Sequence, residues 1–256
     1  MRLTVLGGSA AGANSGQGCS GYLVESGDTR LVLDLGPGTF IELRHHTDYR
    51  CLSAVILSHF HADHVLDVVA LRFALSYNPV PANQPISLWV PPGGSARLAK
   101  LAMAFGEEGR EDEFFPSVFT VHEFDPDAGL VVGGVEIRFA PTVHYVPCWA
   151  MRLTAGDATL GYTADTGPAA KLDDLLDRVD VLIAEGTLLR PSSEALTSRG
   201  HLTAGEAGEL AARTAVSSLI LAHLWQENGF DAYRTQAGAT FNGDLHLASR
   251  GLSLNW

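Results

Sequence analysis

The sequence predicts an α/β (α+β) protein in which mixed β-sheets are covered by helices, on three observations. The first half of the chain is rich in short apolar runs joined by glycine turns, which is typical of β-hairpins. The second half alternates helical and strand patterns, which is typical of parallel strands joined by helices. The 256 residues are 46% hydrophobic and contain no repeat or linker, so we expect one domain over residues 1–256 with a large core.

The first half is predicted to form five strands and two helices. Short apolar runs predict strands at residues 2–6, 20–25, 30–34, 53–58 and 86–90. Gly27 and Asp28 supply the turn between the second and third strands. Apolar side chains at helical spacing predict a helix that includes Leu66 and Tyr77 and ends before Pro79, because the residue before a proline disfavours helix. A second helix is predicted at residues 95–105.

The second half is predicted to begin with hairpins and to end with alternating helices and strands. Apolar patterns predict strands at 118–124, 130–132, 135–141, 148–154, 158–163, 180–184, 217–222 and 244–248. Glycines 133 and 134 are suited to one hairpin turn, and glycine 156 to another. Helices are predicted at 168–178, 204–214 and 231–240. Pro168 suits a first helical turn, and Thr203 with Glu206 forms a capping box before the second of these helices.

The composition disfavours several classes of function. The formal net charge of −12 argues against a general nucleic-acid binder, because a negative surface repels polyanions. No apolar run reaches the roughly 18 residues of a membrane-spanning helix, and no secretory signal is visible, so we expect a cytoplasmic protein with no membrane partner. The cysteines, Cys19, Cys51 and Cys148, are odd in number and widely spaced, which predicts small buried thiols in a reducing compartment.

The strongest chemical signal follows the strand predicted at 53–58, where His59, His61, Asp63 and His64 lie within six residues. Imidazole nitrogens together with a carboxylate suit zinc and similar borderline cations. A loop at a strand end can aim alternate side chains at two ions. Solvated loop histidines are the alternative, but so dense a cluster favours a metal site.

One loop cannot complete two metal sites, so we expect further ligands at the ends of other strands. His144, Asp165 and His223 each follow a predicted strand, at the edge where open sheets place their sites. Alone, each is more typical of a structural histidine or a turn aspartate. With the first cluster they make seven candidate ligands for two ions, and Asp165 is suited to bridge them.

These motifs resemble the metallo-β-lactamase superfamily, and the likeness runs from Val5-Leu6-Gly7 through residues 31–36 to His223. The resemblance implies a four-layer αββα sandwich of two mixed β-sheets, with a dinuclear site at one edge. It implies one zinc ion on His59, His61 and His144, a second on Asp63, His64 and His223, and Asp165 between them. Because His61 stands where diiron oxidoreductases of the superfamily usually have glutamate, two Zn²⁺ ions are favoured, with Mn²⁺ as the alternative.

The second half resembles the ribonuclease Z branch of that superfamily. Thr163-Ala164-Asp165-Thr166 matches its Asp-Thr box, and Glu185 with His201-Leu202-Thr203 matches its glutamate and His-x-Thr pair. The resemblance implies that Glu185 orients His201 toward a phosphate, and that Asp63 orients or deprotonates the nucleophile. Only 20 residues separate His144 from Asp165, which leaves no room for a long tRNA-gripping arm. The armless layout resembles atypical class II cyclic-nucleotide phosphodiesterases.

We therefore expect a dinuclear zinc hydrolase that cleaves small phosphodiesters, a cyclic nucleotide or short RNA, by attack of metal-activated hydroxide. Asp63, His201 and Glu185 are the expected catalytic residues. A thioester or lactone hydrolase with the same metals is one alternative, and a noncatalytic metal-binding protein is another. Relatives with this resemblance are often dimers, so a homodimer is also an expectation.

Overall fold

A computed structural model describes all 256 residues and contains fourteen strands and six helices. The strands are β1 Arg2–Gly7, β2 Gly21–Ser26, β3 Thr29–Leu35, β4 Ala54–Ile56, β5 Ile86–Val90, β6 Phe119–Glu123, β7 Leu130–Val132, β8 Val135–Pro141, β9 Trp149–Ala155, β10 Ala158–Tyr162, β11 Val181–Glu185, β12 Ser218–Ala222, β13 Asp244–Leu247 and β14 Ser253–Asn255. The helices are α1 Thr39–His46, α2 Ala62–Tyr77, α3 Gly94–Phe105, α4 Asp173–Leu176, α5 Ala204–Arg213 and α6 Phe230–Gly238.

The strands form two mixed sheets of seven strands each. The first sheet has the order β14-β1-β2-β3-β4-β5-β6, and the second has the order β13-β12-β11-β10-β9-β8-β7. Strands β3 to β6 run parallel to one another, and so do β10 to β13. The remaining pairs are antiparallel, and three of them, β2–β3, β7–β8 and β9–β10, are the hairpins predicted from the glycine turns.

Three buried apolar clusters separate four layers. The largest lies between the facing sides of the two sheets and includes Ile56 of β4 and Leu160 of β10. A second lies between the first sheet and α1 to α3, and a third between the second sheet and α4 to α6. Apolar burial on both sides of each sheet explains why many strands read as continuous apolar runs rather than as alternating patterns. The predicted αββα sandwich is confirmed.

Two elements escaped the sequence prediction. Helix α1 buries Thr39 and Glu42 beside Phe40 and Leu43, so its buried face carries polar side chains that hide the helical period. Strand β14 has three residues and pairs with β1 at the edge of the first sheet. A strand this short has no sequence signal of its own, because its pairing is set by the neighbouring strand.

The helix predicted at 168–178 is wrong in its first turns, because α4 spans only Asp173–Leu176. The Gly167 backbone N–H donates to the Val143 carbonyl at 2.7 Å, which ties this segment to the loop before His144. A Cβ on Gly167 would lie 1.5 Å from the Arg199 carbonyl oxygen. These tertiary contacts hold residues 166–168 in a loop that passes beside the candidate site.

The prediction of buried cysteines is confirmed for two of the three. Cys19 and Cys148 are buried free thiols, as predicted, but Cys51 is exposed, because it ends a short 3₁₀ turn at the surface. No helix combines the length and the apolar character that crossing a bilayer requires.

Candidate metal centre

The predicted site residues, together with Asp34, meet where strand ends of the two sheets face each other. In the first sheet, Asp34 lies near the end of β3, and the loop after β4 carries His59. In the second sheet, Asp165 follows β10 and His223 follows β12. These four strands all present their carboxyl ends to the same edge, the usual place for sites in sheets of this kind.

Helix α2 starts earlier than its apolar pattern indicates. His59 and His61 lie in the loop before the helix, whereas Asp63 and His64 lie in its first turn. The first turn buries these two polar side chains, so the apolar period becomes visible only after them. The loop and the turn together direct all four side chains toward one region.

The first group of candidate ligands consists of His59, His61, His144 and Asp165, whose ligand atoms lie within 4.8 Å of one another. The His61 Nδ1 and His144 Nε2 atoms are 2.9 Å apart. The Asp165 Oδ2 atom lies 3.7 Å from His144 Nε2 and 3.8 Å from His59 Nε2. A tetrahedral zinc ion with bonds of about 2.0–2.1 Å separates its ligand atoms by about 3.3 Å, so this spacing fits a divalent cation.

The second group consists of Asp63, His64, Asp165 and His223, whose ligand atoms also lie within 4.8 Å of one another. The His223 Nε2 atom is 3.0 Å from Asp63 Oδ2 and 3.4 Å from Asp165 Oδ2. The His64 Nε2 atom lies 3.4 Å from Asp165 Oδ1. Asp165 therefore presents one oxygen to His64 of α2 and the other to His223 of the loop after β12, and it belongs to both groups.

Buried acceptors orient four of the histidines. Asp34 is fully buried, and its Oδ2 accepts from His64 Nδ1–H at 2.8 Å and from the Ser58 hydroxyl at 2.7 Å. The Ser58 hydroxyl oxygen in turn accepts from His59 Nδ1–H at 3.0 Å. Each bond fixes a tautomer with a free Nε2 lone pair toward the cluster, as in the outer partners of metal-bound histidines.

The other two oriented histidines use different acceptors. His144 Nδ1–H donates to the Gly200 carbonyl at 2.9 Å. His223 Nδ1–H donates to the Thr187 hydroxyl oxygen at 2.7 Å, and that hydroxyl donates to Glu185 Oε2 at 2.7 Å. Their Nε2 atoms therefore also face the shared Asp165 carboxylate.

Two buried atoms without hydrogen-bond partners indicate that a metal ion fits between the two groups of candidate ligands. His59 Nε2 and His64 Nε2 are buried and accept or donate no hydrogen bond. Buried polar side-chain atoms in folded proteins are nearly always paired, so two orphaned imidazole nitrogens beside Asp165 need a partner. Five imidazoles with two carboxylates are a donor set for zinc or a similar borderline divalent cation, and the residues fit that ion.

The candidate ligands differ in charge state. Burial lowers the pKa of His64, but the carboxylates of Asp165 and Asp34 outweigh it and raise the pKa well above its ordinary value, so His64 would release a proton on binding a cation. Burial lowers the pKa of His59 well below its ordinary value, which leaves a neutral imidazole. Burial alone would raise the pKa of Asp165, but His223 and His64 outweigh it and hold the pKa well below the ordinary value. The carboxylate at the centre of the cluster is therefore ionised at neutral pH.

A second polar unit, Glu185 with His201, lies directly beside the cluster. His201 Nδ1–H donates to Glu185 Oε1 at 3.0 Å, and its ring stacks on that of His223 with centroids 5.4 Å apart. Burial lowers the pKa of His201, but the hydrogen bond and the charge of Glu185 outweigh it and raise the pKa to about 9. The Thr166 backbone N–H, at 2.6 Å, holds the same Glu185 oxygen in place.

Comparison with known proteins decides the family. The sequence profile of the family described as "Beta-lactamase superfamily domain" matches residues 29–224. The chain belongs to this superfamily. The Bacillus subtilis (strain 168) protein "Probable metallo-hydrolase YhfI" is 30% identical over 255 residues, which cover 98% of each chain. The crystal structure of YhfI, described as a metallo-beta-lactamase fold protein, has a TM-score of 0.86 at 29% identity over 99% of each chain.

Similarity extends to ribonuclease Z. A protein of that name from Mycobacterium sp. (strain KMS) is 28% identical over 220 residues, 78% of this chain and 76% of the relative. The structure of the short form of human tRNase Z has a TM-score of 0.76 and covers 100% of this chain and 99% of that chain. At 18% identity the human structure shows the fold alone. The resemblance to the ribonuclease Z-like branch is confirmed, and this superfamily member is a metallo-hydrolase.

The structure of this metallo-hydrolase brings together every residue that the sequence nominated. The seven candidate ligands form the two groups that share Asp165, and Glu185 with His201 adjoins them. Their roles in binding metal and in catalysis stay predictions. Three orienting residues were missed: Asp34, Thr187 and Arg199.

Arg199 is the least expected of the three. Its side chain is 1% exposed, its Nε–H donates to the His201 carbonyl at 3.1 Å, and its Nη2 pairs with Glu206. The other Glu206 oxygen accepts from the Thr203 backbone N–H, so the predicted capping box is confirmed and extends to His201. A lone arginine two residues before a histidine has no sequence signal of this role.

Proposed function

We propose that residues 1–256 form one dinuclear zinc-dependent phosphodiesterase domain acting on small phosphodiesters, either a cyclic nucleotide or short RNA. The observation that carries the proposal is the Glu185–His201 pair standing beside two ligand groups joined by Asp165. A thioester has a thiolate leaving group that needs little protonation, so a protonated histidine beside the metals contributes less to its hydrolysis. A phosphate ester develops negative charge during cleavage and has an alkoxide leaving group, and both require a positive proton donor.

His201 is suited to this task through its hydrogen bond to Glu185. The raised pKa of about 9 keeps the imidazole protonated at neutral pH, with Nδ1–H bound to the glutamate. The Nε2–H is then the group that can stabilise the charged phosphate or pass its proton to the leaving oxygen. Glu185 acts on the reaction through His201 and has the role of a positioning residue.

The seven candidate ligands would hold two ions, in the groups already described. When bound, divalent cations supply Lewis acidity toward the phosphate and toward the attacking water. Burial raises the pKa of Asp63, but the hydrogen bond with His223 and the nearby His64 outweigh it and hold the pKa well below its ordinary value, so the carboxylate is ionised. Asp63 can therefore accept a hydrogen bond from the attacking water and orient it while holding the second ion.

Two features favour a small substrate. The residues between His144 and Asp165 form the β9–β10 hairpin, and this segment contains no arm longer than that hairpin. The net charge of −12 opposes a long polyanion. We keep Mn²⁺ as the alternative ion, and cytoplasmic location and a homodimer as further predictions.

The test is a turnover screen of one zinc- or manganese-loaded preparation. We expect hydrolysis of bis(p-nitrophenyl) phosphate and of at least one cyclic nucleotide or short RNA, loss of that activity with a chelator, and recovery with added metal. A lactone and a thioester assayed on the same preparation are the controls for the alternative function. Turnover of an acyl substrate without turnover of any phosphodiester would overturn the proposal.

A further inference from the structure

A groove of about 260 Å³ is lined in part by residues within three positions of His61 and His144 in the chain. One lip is Phe60, which lies between His59 and His61 in the chain, and the other is formed by Val146 and Pro147, just after His144. The His61 Nδ1 and His144 Nε2 atoms are 2.9 Å apart, so the two loops that form the lips meet at the cluster. A molecule bound at the cluster therefore has this groove beside it.

The side chains that line the groove are apolar except for Arg97, and its floor is held in place. Its floor, residues 91–94, contributes two of its three prolines, and Glu123 accepts hydrogen bonds from the Gly93 and Ser95 backbone N–H groups at 2.9 Å each. A Cβ on Gly94 would lie 2.8 Å from Phe60 Cε2, so the Phe60 ring packs directly on this glycine. A preformed slot of proline and phenylalanine surfaces suits a flat ring system, which can stack without the walls rearranging.

Arg97 is the one charged residue that lines the groove. It is exposed on α3 and pairs with no carboxylate, although the chain carries 29 acidic residues against 17 basic ones. An unpaired guanidinium at the edge of an apolar slot can donate hydrogen bonds to ring nitrogens and carbonyl oxygens, and it stacks on planar rings. Nucleobases present both features, whereas an apolar aromatic ring lacks the hydrogen-bond acceptors.

We propose that this groove is a binding subsite for the base of a nucleotide substrate, with the ring against Phe60 and the prolines and its polar edge at Arg97. The inference rests on the proposed function, because the phosphate of the same molecule would lie at the metal centre. Its volume is below the range of about 300–1,000 Å³ of larger ligand sites, so the groove holds one base rather than a polynucleotide.

The test compares the binding of adenosine 5′-monophosphate and ribose 5-phosphate to the metal-loaded protein by isothermal titration calorimetry. The two probes share a sugar phosphate and differ by the base. We expect the nucleotide to bind about tenfold more tightly or better, since one stacked base contributes a factor of that order. Arg97→Met should reduce that preference to about threefold or less and leave the affinity for ribose 5-phosphate unchanged.

Two further variants separate the subsite from general effects of charge and folding. Arg138→Met removes one positive charge from another exposed arginine on β8 and should keep the wild-type preference. Phe60→Leu should lower the preference as Arg97→Met does. Equal binding of the two probes by the wild type, or a parallel loss of both in Arg97→Met, would overturn the subsite.

Different experimental results would contradict the base subsite and the proposed phosphodiesterase function. If the protein hydrolyses phosphodiesters but binds the two probes equally, the subsite is contradicted and the phosphodiesterase function is supported. If binding depends on the base but no phosphodiester is hydrolysed, the phosphodiesterase function is contradicted and the subsite is supported.

Discussion

Asp165→Ala is expected to abolish turnover and to release most of the bound metal. Asp165 belongs to both groups of candidate ligands and supplies the only carboxylate near His59 and His144 in the first. Loss of an outer partner of a metal ligand typically costs about 10–100-fold in metal affinity or activity, and a ligand shared by two ions should cost more. We therefore expect a loss of more than ~100-fold in both quantities.

Metal content per chain by elemental analysis, together with kcat on bis(p-nitrophenyl) phosphate, measures this effect. Asp244→Ala is the matched control, because it removes an exposed carboxylate from β13, in the same sheet, at the opposite end of its strand from the site. Circular dichroism and thermal unfolding show whether either variant has lost its fold. A folded Asp165→Ala protein with the metal content of the wild type would contradict the shared-ligand role.

His201→Ala is expected to lower kcat by about 10²–10⁴-fold, the range for one acid–base group, while the metal content stays unchanged. His201 has Glu185 on its Nδ1 and belongs to neither of the two ligand groups. Removing its ring therefore takes away the proton donor but none of the seven candidate ligands. Glu185→Gln should have a smaller effect of the same kind, because it keeps the shape of the side chain but removes the negative charge that keeps His201 protonated.

Parallel measurement of kcat and bound metal distinguishes this role from a structural one. His45→Ala is the control, because His45 is exposed on α1, away from the strand ends. A substrate with a good leaving group, such as p-nitrophenolate, should be less sensitive to His201→Ala than a cyclic nucleotide, since it needs less protonation. Full activity of His201→Ala on both substrates would remove the assigned role.

The parts of the site that the sequence predicted share a local signal. His59, His61, Asp63 and His64 are recognisable because four metal-ligand side chains lie within six residues. His144, Asp165 and His223 are recognisable because each ends an apolar run, and strand ends of open sheets meet at one edge. Family resemblance then paired these distant segments, which spacing alone could not do.

The parts that the sequence did not predict depend on contacts across the fold. Asp34 lies 30 residues before His64 in the chain, and only the parallel pairing of β3 with β4 brings it to the histidine. Arg199 reads as an ordinary surface arginine until the capping glutamate, Glu206, is seen to pair with it. The loop at 166–168 reads as a helix start because a proline is favourable there, and the contact of Gly167 with Arg199 overrides that preference.

Anomalous X-ray diffraction at the zinc absorption edge, from crystals of zinc-loaded protein, measures most directly whether the chain holds two ions. We expect two anomalous peaks, one among His59, His61 and His144 and one among Asp63, His64 and His223, with Asp165 between them. A map with no peak at either group, in crystals that diffract well enough to show these side chains, would contradict the dinuclear centre.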